Sequence, residues 1–137
     1  MFKKIFSFIA ALTLSVGLWA ETVSYRYPMY NEGGATKGIK EWKTTTADAT
    51  PITSSSSTWG VAGSETWLVV DENVTISQRV TCKGAVHLIL ADGAKLTAQQ
   101  GITVSGSSNS LTIYAQSTGT QMGKLIATGG SAAAGIG

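Results

Sequence analysis

Cysteine, net charge and helical periodicity are all scarce in this chain, and each scarcity excludes a class of protein. Cys82 is the single cysteine, so no internal disulfide can form and a disulfide scaffold is excluded. We interpret it as a small buried apolar residue. Beyond residue 20 the chain carries eight basic and eight acidic residues. A neutral chain of this kind has no basic patch for a phosphate backbone, which excludes DNA and RNA as partners.

Long apolar runs are missing as well. The longest spans residues 5–19, is broken by hydroxyl residues, and is shorter than the about 20 apolar residues that a membrane span needs. Two lysines precede it and Ala20 follows it, which is typical of a secretory signal peptide. We predict that residues 1–20 are a signal peptide cleaved after Ala20, with an uncleaved anchor as the alternative. The mature chain, without an integral membrane span, is then secreted or held at the cell surface.

What the chain does contain is an internal repeat. Three segments rich in β-branched residues recur: "WLVVDENVTIS" (67–77) with "HLILADGAKLT" (87–97), "VTCKG" (80–84) with "ITVSG" (102–106), and a looser third copy, "LTIYAQ" (111–116), "GKLIATGG" (123–130) and "AAGIG" (133–137). Helical periodicity is absent from these segments, and they read as short strands separated by turns. The spacing of roughly 20 to 25 residues lies in the range of solenoid repeats.

Stacking equivalent residues of the three copies yields columns of uniform character, as alternation along a strand requires. The apolar columns, predicted to point inward, are Leu68–Leu88–Ile113, Val70–Leu90–Ala115, Ile76–Leu96–Leu125, Val80–Ile102–Ala134 and Cys82–Val104–Ile136. The outward columns are Trp67–His87–Thr112, Thr75–Lys95–Lys124 and Thr81–Thr103. We therefore predict an all-β fold, a right-handed parallel β-helix (β-solenoid) of about three rungs. An antiparallel sandwich is the alternative, because short, regularly spaced strands also suit it.

One outward column, Val69–Ile89–Tyr114, is apolar, so we expect it to be covered or to bind something. Residues 21–60 have a different, aromatic-rich texture. We predict that they form a β-hairpin or short strands, broken at Pro28 or at "NEGG" (31–34), that cap the first rung and cover this column. Residues 61–137 are then the solenoid repeats. Because the third copy finishes in the middle of a rung, we expect truncation there, with further rungs or a partner edge beyond it.

The repeats resemble those of a known group of proteins. Segments such as "LILADGAKLTA", "GITVSG", "SLTIYAQS" and "AAGIG" are similar to the opening rungs of large secreted bacterial surface proteins with parallel β-helix-like repeats, often labelled carbohydrate-binding domain-containing. The similarity covers roughly residues 59–137. It implies a surface location and a β-helix, but it carries over no binding residue, because the matching positions are core columns and turns.

No residue set predicts catalysis, a cofactor or a metal. Glu72 and Asp92 occupy equivalent turns, where acids suit the turn geometry itself, and two carboxylates are too few for a calcium site. His87 and Asp92 are not a catalytic pair, since the first is predicted on an outward strand face and the second at a corner.

The aromatic residues carry the remaining functional hypothesis. Trp42, Trp59, Trp67 and Tyr114 are candidates for stacking on sugar rings, but packing of the cap on the first rung is the favoured interpretation of them. We expect an exported, non-enzymatic, adhesin-like segment that binds polysaccharide or another cell-surface glycan. The alternative is the N-terminal portion of a β-helix polysaccharide lyase or glycosidase whose catalytic rungs lie elsewhere.

Overall fold

A computed structural model describes residues 19–137, which are built almost entirely from β-strands. The predicted all-β class is confirmed. A single short 3-10 turn, Ala35–Lys37, is the helical segment of this region. The strands are β1 Glu21–Tyr30, β2 Ile39–Pro51, β3 Thr58–Val70, β4 Val74–Ile76, β5 Val80–Leu90, β6 Lys95–Ala98, β7 Ile102–Thr103, β8 Ser110–Ala115 and β9 Lys124–Ala127. Residues 1–18 of the predicted signal peptide lie outside the described residues.

The strands form two sheets. The large sheet has the order β1-β2-β3-β5-β7, with β8 also pairing with β5, and the small sheet has the order β4-β6-β9. The β1–β2 pair is antiparallel, whereas the other pairs of both sheets are parallel. The large sheet is therefore mixed and the small sheet is parallel. Across the residues that the structure describes, no helix is long and apolar enough to cross a bilayer.

Most of the predicted columns are confirmed by the strand register. The parallel pairs align Leu68 with Leu88 and Ile113, and Val70 with Leu90 and Ala115. The outward columns Trp67–His87–Thr112 and Val69–Ile89–Tyr114 are equally in register. Val80 pairs with Ile102, and Lys95 pairs with Lys124. Equivalent residues of successive copies thus lie side by side on neighbouring parallel strands.

Four predicted columns were wrong by two residues: Ile76–Leu96–Leu125, Thr75–Lys95–Lys124, Val80–Ile102–Ala134 and Cys82–Val104–Ile136. Leu96 pairs with Val74 and not with Ile76, whose partner is Ala98. Ile102 forms its bridge with Ile136 and not with Ala134. A shift of two residues leaves every side chain on the same face of a strand, so the apolar pattern is satisfied equally well by either register.

The corner between strands explains the first of these errors. The segment from Val70 to Val74 is two residues shorter than the corresponding one from Leu90 to Leu96. The longer corner contains Gly93 at φ 78°, a left-handed conformation that glycine adopts without strain. Lys95 consequently has no partner at Thr75, which pairs with Thr97.

We predicted three separate strands in each copy of the repeat, but in the structure two of these segments join into one longer strand. "VTCKG" and "HLIL" belong to one continuous strand, β5, in which buried and less buried side chains alternate from Val80 to Leu88. The neighbouring β3 is equally long, with an irregular register between Gly60 and Glu65 that accommodates the bend. Gly84 supplies the matching bend in β5 at φ 71°, where the carbonyl oxygens of β3 approach its backbone closely.

The main core lies between the two sheets and consists of the inward columns of the first two copies; Ile113 and Ile136 of the third copy, also predicted to point inward, are exposed. Its fully buried side chains include Ile76, Val80, Val86, Leu88, Leu96 and Ile102. Cys82 is also buried there, as predicted, and it is paired in register with Trp59 of β3. Trp59 is only 1% exposed, and its indole Nε1 donates a 2.8 Å hydrogen bond to the Ser56 carbonyl oxygen. This contact satisfies the polar atom of a large ring that is otherwise enclosed by apolar groups.

The hairpin of β1 and β2 covers the apolar outward column. Val69 and Ile89 are both fully buried on the outer face of the large sheet, where they pack against Val23 and Ala49. The chain does not break at Pro28, because β1 is continuous through it, and the turn contains the "NEGG" segment instead. The far end of β2 then joins the parallel stack, where Thr50 pairs with Leu68. The expected cover is therefore continuous with the large sheet through β2.

Candidate functional site

An aromatic cluster lies where β1 crosses the outer face of the large sheet. The Tyr25 ring contacts Trp67 at 4.9 Å and Tyr114 at 4.7 Å between ring centroids, in tilted geometries. Trp67 stacks on the His87 imidazole at 4.2 Å with an interplanar angle of 11°. Parallel strands place equivalent residues side by side, so Trp67 and His87 are neighbours on adjacent strands, and Tyr25 packs on Trp67 and Tyr114.

A chain of hydrogen bonds runs through this cluster. His87 Nε2 lies 2.7 Å from Glu65 Oε1, and His87 Nδ1 lies 2.9 Å from the Tyr114 hydroxyl. A neutral imidazole satisfies both contacts when Nε2–H donates to the carboxylate and Nδ1 accepts from the phenol. The order carboxylate, imidazole, hydroxyl is also that of hydrolytic triads, which raises the question of catalysis.

The environment of the phenol favours its protonated form. Burial raises the pKa of Tyr114 above its ordinary value, and the neighbouring Tyr25 adds to the effect. The pKa of Tyr25 is raised as well, chiefly by burial and then by Tyr27. A raised pKa keeps the proton on the phenol, so the Tyr114 hydroxyl donates the hydrogen bond to His87 Nδ1. The chain from Glu65 to Tyr114 therefore fixes the orientation of the tyrosine ring.

Beside this cluster lies a groove of about 690 Å³, between the hairpin and β8. Its lining residues are Arg26, Tyr27, Pro28, Tyr30 and Trp42 from the hairpin, Thr112, Ile113, Tyr114 and Ala115 from β8, and Ser117, Thr118 and Met122 from the following loop. Small-molecule sites are typically clefts of roughly 300 to 1,000 Å³ with apolar and aromatic walls and a few polar groups. The groove matches that description in size and lining.

Charge in the groove is confined to one side chain. Arg26 is the single charged residue among those that line it, and its guanidinium carbon lies 5.3 Å from the centre of the Trp42 ring. This is the geometry of a cation–π contact, which holds the long side chain against the wall. Trp42 itself is 50% exposed, so one part of its ring remains open.

Polar side chains tie the far wall of the groove to the hairpin. Gln116 donates from Nε2 to the Ser24 carbonyl oxygen at 3.2 Å and accepts from the Asp92 backbone N–H at 2.9 Å. The Ser117 hydroxyl donates to Asp92 Oδ1 at 2.8 Å. These bonds connect β8, the corner at Asp92 and β1, so the two walls are joined and not merely adjacent.

The four aromatic residues predicted for sugar stacking are distributed over three environments. Trp42 and Tyr114 line the same groove. Trp67 contacts Tyr114 at 5.4 Å and forms a second layer behind it. Trp59 lies in the main core, where it has no surface to present to a ligand. The structure therefore brings together Trp42 and Tyr114, supports them with Trp67, and separates Trp59 from them.

His87 and Asp92 have different partners, as the sequence analysis expected. His87 contacts Glu65 and Tyr114, whereas Asp92 contacts Ser117 and Gln116. In the part of the chain that the structure describes, no three or more His, Cys, Asp or Glu side chains form a group that could hold a metal ion.

Sequence reasoning missed Arg26, Glu65 and the two groove tyrosines, Tyr27 and Tyr30. The alternation of aromatic residues along β1 indicated that a strand face was aromatic, but it did not indicate where the hairpin docks. Nothing in the sequence indicated a role for Glu65, because its contact with His87 depends on the pairing of two strands.

Comparison with protein-family models, with curated proteins and with solved structures finds no match to this chain.

Proposed function

We propose that this chain is an exported β-solenoid segment with a structural or adhesive role at the cell surface, and that it binds carbohydrate in the groove between the hairpin and β8. The observation that carries the proposal is the joint placement of Trp42 and Tyr114 in one groove with hydroxyl-bearing neighbours. Sugar rings offer an apolar face that stacks on aromatic rings and a polar rim that hydrogen-bonds to hydroxyl and guanidinium groups.

The solenoid part of the proposal is supported by the strand pairing. Three successive copies of the repeat align as parallel neighbours with equivalent residues in register, for example Leu68, Leu88 and Ile113. The same order recurs in the small sheet, where β4, β6 and β9 are parallel. A right-handed coil, in which each copy passes through both sheets in turn, accounts for both observations. The resemblance to secreted bacterial surface proteins is in keeping with this interpretation.

The export part is supported by the position at which β1 begins. β1 begins at Glu21, immediately after the proposed cleavage site at Ala20. Cleavage there removes none of the strand pairs, because the first of them joins Glu21 to Ala49.

Binding is proposed without catalysis. Among the residues that line the groove, none is a carboxylate. Most glycosidases cleave with a pair of carboxylates on either side of the bond. A groove with aromatic walls and one cation has the groups to hold a sugar but not that pair.

The test is a titration of the purified exported chain with a panel of neutral and acidic polysaccharides. We expect saturable binding to at least one of them, weakened about fivefold or more by Trp42→Ala because an exposed aromatic contact is lost. Ile39→Ala is the matched control, since Ile39 is a similarly exposed side chain of β2 outside the groove. No binding across the panel, or equal binding by Trp42→Ala and the parent chain, would contradict the proposal.

A further inference from the structure

Arg26 occupies a position that a neutral ligand does not require. It is the charged residue of an otherwise uncharged lining, and its guanidinium lies 5.3 Å from the centre of the Trp42 ring, which also lines the groove. Its cross-strand neighbour on β2 is Thr44, so no acid faces it from the paired strand.

The guanidinium also lacks a carboxylate partner within residues 19–137. Two carboxylates of this region have other nitrogen partners: Glu41 lies 3.7 Å from Lys43, and Glu65 lies 2.7 Å from His87 Nε2. Asp92 accepts a hydrogen bond from the hydroxyl of the groove residue Ser117. Arg26 is therefore a cation beside apolar surface with its hydrogen-bond donors uncommitted to an acid.

The contact with Trp42 leaves the guanidinium suited to an anion. A guanidinium that rests on a ring by its face keeps the N–H groups on its edge, and two of these match the spacing of the oxygens in a carboxylate or sulfate. Lysine cannot present this flat pair of donors, because its ammonium is a compact point charge. The wall therefore combines a ring for stacking with an adjacent fork for an acid group.

We propose that the groove recognises an acid-bearing sugar polymer, a polysaccharide with carboxylate or sulfate groups, and that Arg26 binds the acid while Trp42 and Tyr114 stack on the ring. This inference rests on the proposed carbohydrate-binding function and names its ligand class. An acidic sugar accounts for both the aromatic walls and the unpaired cation, whereas a neutral sugar accounts only for the walls.

The test compares polysaccharides that differ only in charge. Polygalacturonate is titrated against its methyl-esterified form, and dextran sulfate against dextran, with the exported chain and calorimetric detection. We expect one of the acidic members to bind at least about tenfold more tightly than its neutral counterpart, with the difference reduced by added salt.

Variants of Arg26 assign the preference to this side chain. Arg26→Gln is expected to weaken binding of the acidic member about tenfold and to leave the neutral member unchanged. Arg26→Lys is expected to restore part of the loss, because the charge returns without the flat pair of donors. Lys43→Gln is the matched control, a cation of the same hairpin outside the groove lining, and is expected to bind like the parent chain. Thermal unfolding of each variant verifies that the hairpin stays folded.

The outcomes separate this inference from the proposed function. Equal binding of both members of each pair, or an Arg26→Gln variant that retains the preference, would overturn the acidic ligand while leaving carbohydrate binding intact. Binding of polyglutamate with the affinity of the acidic polysaccharide would also overturn it, since the sugar ring would then contribute nothing. Absence of binding to every polysaccharide, charged or neutral, would remove both proposals.

Discussion

Replacing Ile89 with alanine tests whether the hairpin packs on the outer face of the large sheet. Ile89 is fully buried between β5 and the hairpin, in contact with the cluster that contains Val23 and Ala49. The substitution removes three carbons, worth about 0.8 kcal/mol each in transfer free energy, and leaves a cavity that adds to the cost. We expect the free energy of unfolding to fall by about 3 kcal/mol.

The matched control for this substitution is Ile126→Ala. Ile126 lies within a strand of the small sheet, but it is 47% exposed, so its truncation should cost less than about 1 kcal/mol. Urea unfolding of both variants, followed by tryptophan fluorescence, measures the difference. If the two variants lose the same stability, the hairpin does not cover the column. Hydrogen exchange adds a local readout, because amide protection in β1 should fall more in Ile89→Ala than in Ile126→Ala.

Three further predictions concern a thiol, a glycine and a phenol. Burial raises the pKa of the Cys82 thiol to about 11, so iodoacetamide should label it slowly at pH 8 in the native chain and rapidly in urea. Because folding raises this pKa, burial of the neutral thiol contributes to stability fully below about pH 9, and this contribution is lost as the pH rises through about 11. The Cys82→Ala variant should not show this pH-dependent loss of stability. Gly84→Ala should lower the free energy of unfolding by at least about 3 kcal/mol, since φ is 71° and backbone carbonyls fill the space that the new methyl group would need. Gly93→Ala, at φ 78° but in open space, should lower it by about 1 kcal/mol. Equal losses of stability in urea unfolding would refute the close approach of β3 to Gly84. Tyr114→Phe should lose about 1 kcal/mol with its hydrogen bond to His87 and keep glycan affinity within about twofold, and a larger loss of affinity in the same titration would show that the hydroxyl contacts the ligand.

The strands and their faces could be predicted from the sequence because alternation along a strand is a local pattern. Leu68, Leu88 and Ile113 were assigned correctly to one column, and so were Val69, Ile89 and Tyr114. The predicted register failed where the corner between two strands differs in length from one copy of the repeat to the next. Val74 and Ile76 are both apolar and both face inward, so nothing in the pattern decided which of them pairs with Leu96.

The candidate site could be predicted only in part, for a different reason. Trp42 and Trp59 are both strand residues with polar or small neighbours in sequence, yet one lines the groove and the other lies in the core. What separates them is the crossing of the hairpin over the sheet, a long-range contact with no local signature. Arg26 and Tyr114 are brought into the same groove by that crossing alone.

The crossing of the hairpin also has a consequence for the order of assembly. β1 and β2 are neighbours in the chain and can pair within about 1 to 10 μs, as isolated hairpins do. The hairpin, however, packs on Val69 of β3 and Ile89 of β5, and Ser24 contacts Gln116, 92 positions away, so docking requires strands that follow the hairpin in the chain. The aromatic row of β1 is therefore expected to wait, paired but uncovered, until the rest of the large sheet has formed. Pulse-labelling hydrogen exchange would detect this as early protection of the β1–β2 pair and late burial of Ile89. In a chain exported from its N-terminus first, the aromatic strand β1 would emerge before β3, β5 and β8, the strands on which it packs.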